Sequence, residues 1–138
     1  MKKETNPKDA VGIKKVPVSV VSSPFIMGVG LAMMEGARKY GRHNYRVSGV
    51  SSSVYYDACM RHLMAWYEGQ DIDEDSGLSH ILKAGACLSV LYDSIINDTN
   101  TDDRPPKMKN QNWIKDFNKM SEDIIKKYPK SLPPFTEK

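Results

Sequence analysis

Residues 35–46, EGARKYGRHNYR, set Arg38, Lys39, Arg42 and Arg46 close together, with His43, Tyr40, Asn44 and Tyr45 among them. Lysine and arginine supply charge for phosphate, and arginine adds two-pronged hydrogen-bond geometry. The tyrosine rings offer faces for a base to stack on, and Gly41 lets a backbone come close to a ligand. The same cations would also suit the end of a helix, whose dipole favours positive charge, so a purely structural role stays open. A second group of candidates emerges when residues 54–68 and 76–97 are placed on helices at about 100° per residue. His62 then shares the broad apolar side of the first of these helices with Tyr55, Cys59, Leu63 and Trp66. His80 falls in the middle of the apolar stripe Ala84, Cys87, Leu88, Leu91 and Ile95 on the second. A single inward histidine is most simply a core imidazole satisfied by a neighbour. Two of them, 18 residues apart on consecutive antiparallel helices, point to one shared polar pocket, because an unpartnered buried imidazole costs about 1–3 kcal/mol. Neutral imidazoles serve as general bases or metal ligands.

Asp57, Arg61, Met64 and Glu68 form another stripe. It reads either as a solvated helix face with an Asp57–Arg61 pair, or as carboxylates turned to a pocket or a second subunit to hold a divalent ion. The acidic run Asp71, Asp73, Glu74, Asp75 is not a calcium loop. With Asp71 at position one, Ser76 stands where the invariant glycine belongs and Leu82 where the bidentate glutamate belongs. No P-loop, GxGxxG, GxSxG or HExxH pattern occurs.

The elements that must carry these residues are helical. Ser22-Ser23-Pro24 starts a helix with a cap and a first-turn proline, and Gly41 closes it. Gly28, Gly30 and Gly36 inside it predict either close approach of a neighbouring backbone or a weaker helix. A loop over 42–50 leads to Ser51–Ser53, which cap a helix over 54–68 ended by Gly69. Asp75 or Ser76 caps a third helix reaching about Asn97. DTNTDDRPPK, 98–107, ends the compact part, and a fourth helix is predicted over 110–127. Residues 1–15 form a loose arm, VPVSVV at 16–21 an extended stretch, and the last ten residues a tail. The pattern predicts an all-α bundle of about four helices, with a domain over 1–106 and a C-terminal helix and tail over 107–138 packing on it.

Composition narrows the classes. The chain has 138 residues, enough for one core, and a net charge of +3, too small to argue for nucleic acid. No apolar run is long enough to span a bilayer, and the charged N-terminus has no apolar stretch after its lysines, so the expected location is the cytoplasm. Cys59 and Cys87 sit in apolar helical patterns and read as small core residues in a reducing compartment.

EGARKYGRHNYR, then RHLMAWYEGQDID, SGLSH and DDRPP, with NPKDA and KKVP near the start, resemble the phage dATP/dGTP diphosphohydrolase family over about residues 6–106. That family is related to the all-α MazG-like nucleoside triphosphate pyrophosphatases. The resemblance implies hydrolysis of a purine (deoxy)nucleoside triphosphate, dGTP or dATP, to the monophosphate and pyrophosphate. It implies Mg²⁺ or Mn²⁺ on acidic side chains, and a homo-oligomer, dimer or tetramer, in the cytoplasm of an infected host. Carried onto this chain, it places Glu35, Asp57 and Glu68 on the metal, and Glu35, His62 and His80 at the reacting water. Lys39, Tyr40, Asn44, Arg46 and Arg61 go to phosphate and sugar, and Trp66 forms a wall for the base. The superfamily's EExxE and ExxD are missing, however, and His80-Ile81-Leu82-Lys83 stands where ExxD is expected. That departure keeps a second function in view, a phage protein that sequesters a nucleotide or cyclic-nucleotide signal without cleaving it. A helical partner-binding protein with core histidines is the third.

Overall fold

The computed structural model describes residues 5–137 and is all-α, with one two-residue strand pair. Its elements are α1 (Pro7–Gly12), α2 (Ser23–Tyr40), α3 (Asn44–Ser48), β1 (Val50–Ser51), α4 (Ser52–Tyr67), α5 (His80–Ile96), β2 (Asn100–Thr101) and α6 (Trp113–Lys127). The chain divides after Arg104 into two compact units, the first ending there and the second beginning at Pro105.

In the first unit α5 is the central helix, packed against both α4 and α2. Two hydrogen bonds fix α4 and α5 antiparallel: Ser52 at the start of α4 meets Asn100 beyond the end of α5, and His62 meets His80 at its beginning. β1 pairs parallel with β2, Val50 opposite Asn100 and Ser51 opposite Thr101. The start of α4 is capped from this side. The Asp103 carboxylate accepts from the Ser53 N–H at 2.8 Å and from the Ser53 hydroxyl, which satisfies a donor that Ser51, the residue before the helix, leaves open. Small residues set the packing between α2 and α5. A methyl on Gly28 would lie 2.4 Å from the Leu82 side chain, and one on Gly85 would lie 2.7 Å from Phe25 and 2.9 Å from Val29. The buried apolar residues are equally small: Ala32, Val50, Cys59, Ala84 and Val90.

Several expectations are corrected. Asn6 caps α1 and Pro7 opens it, so a six-residue helix replaces part of the loose arm. VPVSVV contains a 3₁₀ turn at Val18–Val20, and the 42–50 loop holds α3 and β1. α5 begins at His80 with Ser79 as its cap, not at Asp75 or Ser76. Gly77 adopts φ 72°, and Ile72 pairs with Ser79, so the acidic connection folds back before the helix can start. The inward stripe of α5 is displaced by part of a turn: His80, Ala84, Gly85, Val90 and Ser94 are buried, whereas Leu88 and Ile95 are exposed. Of the glycines in α2 only Gly28 marks a close approach, and Gly30 and Gly36 face open space.

In the second unit α6 carries Trp113, Phe117, Met120, Ile124 and Ile125, all exposed. Trp113 and Phe117 meet edge to face at 6.2 Å.

Candidate functional site

The C-terminal half of α2, the turn that follows it, α4 and α5 line a groove of about 890 Å³. Its fixed charges are all positive: Arg38 and Arg42 around the end of α2, and Lys83 from α5. Among the described residues no aspartate or glutamate lines it. Tyr40, Tyr45 and Tyr55 give it ring faces and Asn44 an amide. The turn exists because Gly41, φ 92°, stops α2 and His43, φ 67°, redirects the chain into α3. Gly30 and Gly36 keep the α2 wall low. Cys87 also lines the groove; burial pushes its thiol up, which keeps it protonated, so it is wall rather than core.

His43 from the turn and His62 from α4 both reach the groove, and His62 is the one backed by a second imidazole. Its Nδ1 lies 2.8 Å from His80 Nδ1, and His80 Nε2 lies 2.7 Å from Gln70 Oε1. With both rings neutral and the Gln70 amide oxygen toward the ring, His80 donates from Nε2 and presents a lone pair at Nδ1. In that arrangement His62 donates from Nδ1 and keeps a lone pair on Nε2. His80 itself is buried and stands behind His62. Burial first, then the competing His80 imidazole and the charges of Lys83 and Arg61, holds the His62 imidazole below its ordinary value of 6.5, although Asp73 opposes this. A neutral ring with a free lone pair in a cationic groove is equipped to accept a proton from water.

Glu35 lies beside this groove without lining it. Its Oε1 accepts from Lys83 Nζ at 2.8 Å and from Lys39 Nζ at 3.4 Å, and these bonds, led by Lys83, hold the carboxyl below the usual carboxylate range. Asp57 is exposed on α4, and Glu68 follows the end of the same helix 11 residues later, about 16 Å along its axis. Among the described residues no three His, Cys, Asp or Glu side chains come together as a metal-holding group. Glu35, Asp57 and Glu68 are thus not gathered within one chain, and the donor set does not fit a divalent ion there.

Of the other residues expected at the site, Tyr40, Asn44 and His62 line the groove, and His80 supports His62. Lys39 is turned to Glu35. Arg46 forms a two-pronged pair with Asp93 at 2.8 and 3.0 Å that ties α3 to α5, and it does not line the groove. Arg61 is exposed outside it, whereas Trp66 and Glu68 border a separate shallow depression at the end of α4. In the sequence Lys83 marks only the departure from ExxD, and nothing there places it on the groove. Sequence reasoning missed Gln70, whose role depends on the path of the connection after Gly69.

The sequence model of the family described as "dATP/dGTP diphosphohydrolase, N-terminal" matches residues 5–104. A protein of Salmonella phage PMBT28 named dATP/dGTP diphosphohydrolase is 30% identical over 90 residues, which cover 65% of this chain and 30% of that protein. The chain therefore spans under a third of that relative's length in the matched region. No solved structure matches.

Proposed function

Because the chain belongs to the dATP/dGTP diphosphohydrolase N-terminal family, we propose that its groove takes a purine deoxynucleoside triphosphate and hydrolyses it between the α- and β-phosphates. The observation that carries this reading is the Gln70–His80–His62 chain beside a groove lined by Arg38, Arg42 and Lys83; with both rings neutral it offers a lone pair on His62 Nε2. Arg38 and Arg42 bind phosphate oxygens, and a tyrosine ring takes the base. A water oxygen attacks the α-phosphorus as its proton passes to His62 Nε2. The bond from the α-phosphorus to the bridging oxygen breaks, and pyrophosphate leaves with that oxygen. His80 and Gln70 hold the ring and spread the charge it acquires. The divalent ion that the resemblance implies finds no group of three donors among the described residues, so in this reading the charge of the phosphates falls to the cations of the groove.

The test is release of pyrophosphate and dGMP in equal amounts from dGTP, assayed with and without Mn²⁺. His62→Ala is expected to lose about 10²-fold or more in kcat. No release from any purine deoxynucleoside triphosphate under either condition overturns the reading. A second reading, sequestration without cleavage, is favoured by one observation: Lys83, not a site open to a metal ion, occupies the Glu35 oxygen. Nucleotide recovered intact after tight binding would select it.

A further inference from the structure

We infer that Lys83 is a phosphate-binding residue of this groove, and that the groove takes its nucleotide polyphosphate free of divalent metal; the inference rests on the nucleotide reading above. Lys83 on α5, Arg38 on α2 and Arg42 in the turn after α2 line the same groove, so positive charge comes from more than one wall. Its ammonium has three donor directions, of which Glu35 Oε1 takes one at 2.8 Å. The side chain is only 19% exposed, so the ammonium is already partly stripped of water and its stem is held. Glu35 does not cancel the local charge. One carboxylate faces two ammoniums, Lys39 and Lys83, on the same oxygen, and the cluster keeps an excess of positive charge. A metal ion entering this groove would meet Arg38, Arg42 and Lys83, and among the described residues the one carboxylate beside them, Glu35, lies off the lining and already accepts from Lys83 and Lys39. A bare polyphosphate meets the reverse situation. Chelation by Mg²⁺ removes part of the negative charge that these cations would otherwise neutralise, so it works against binding.

Isothermal titration calorimetry with dGTP, run in EDTA and again in excess Mg²⁺, tests the inference on the wild-type chain. Binding in EDTA at least as tight as in Mg²⁺ is expected. Lys83→Gln should weaken binding in EDTA about tenfold or more, and Lys83→Arg should restore most of it, since one charge-assisted hydrogen bond is lost and regained. Binding seen only with Mg²⁺ or Mn²⁺ overturns the inference and leaves the nucleotide site standing. Binding of neither dGTP nor dATP in either arm overturns the nucleotide reading as well. Lys83→Gln binding like wild type overturns the role of Lys83. If circular dichroism finds that variant unfolded, acetylation of the wild-type chain decides: protection of Lys83 by dGTP in EDTA supports its role, and no protection overturns it.

Discussion

The pairing of His62 with His80 follows from helical spacing alone, because inward imidazoles on consecutive antiparallel helices have few other places to go. What spacing could not give is the direction of the proton, which depends on Gln70 Oε1 in the connection. Nor could it show that Arg46 would be claimed by Asp93, 47 residues away, or that Lys83 would line the same groove as Arg38 and Arg42. A run of like charges identifies an anion site, but only tertiary structure decides which of its members are already neutralised. The titration of His62 gives a test at this scale. Its proton affinity is lowered in the fold, so below the ordinary value of 6.5 the unfolded chain binds a proton that the native chain refuses. Stability is therefore expected to fall as pH drops through 6.5 toward the lower native value, and to be level above it. A proton on both imidazoles also breaks the Nδ1–Nδ1 bond. The acid limb of kcat/KM should lie below 6.5, and His62→Gln should flatten the thermal-melting profile between pH 7 and that limb. An unchanged melting profile in the variant would show that His62 does not titrate as argued.

Among the elements, α2 was legible almost to the residue because its stop and start signals are local: Ser22, Pro24 and Gly41 act on their own turns. α5 was misjudged at its start because an acidic run with a serine imitates a cap, whereas the real constraint is the fold-back from Ile72 to Ser79. β1 and β2 escaped notice since two residues each, 50 apart in sequence, carry no periodicity. The cap on α4 escaped for the same reason, coming from Asp103 rather than from the preceding serines. The glycines separate two roles that composition alone merges. Gly85→Ala forces a methyl against the stiff Val29 side chain, a clash worth about 1–3 kcal/mol that outweighs about 1 kcal/mol of gained helix propensity. Gly36→Ala meets nothing within 4 Å and keeps the propensity gain, up to about 1 kcal/mol, while raising the wall of the groove. Thermal melts should therefore move in opposite directions, down for Gly85→Ala and up for Gly36→Ala. Movement in the same direction would contradict the close packing of α2 on α5.

At the scale of the first unit, the buried apolar residues are small and many of the large apolar side chains are exposed. Tyr56, Met60, Leu63 and Tyr67 recur at helical spacing along α4, and Met27, Leu31 and Met34 along α2, yet all are exposed. A stripe of that period is what a helix presents to a partner, and contiguous apolar surface of this kind is uncommon on proteins that remain monomeric. The helical period was legible in the sequence; which stripe faces inward was not, because Ala32, Ala84, Gly28 and Gly85 draw the helices together and leave the bulkier residues out. The α4 stripe is therefore expected to meet a second copy of the chain. Sedimentation equilibrium should find a dimer or tetramer, and Leu63→Glu with Met60→Glu should shift it to monomer. Since association stabilises the native state by mass action, the melting temperature of the wild type should rise with protein concentration and that of the double variant should not. A wild type that sediments as a monomer, with a melting temperature independent of concentration, would mean that the exposed stripe serves no self-association.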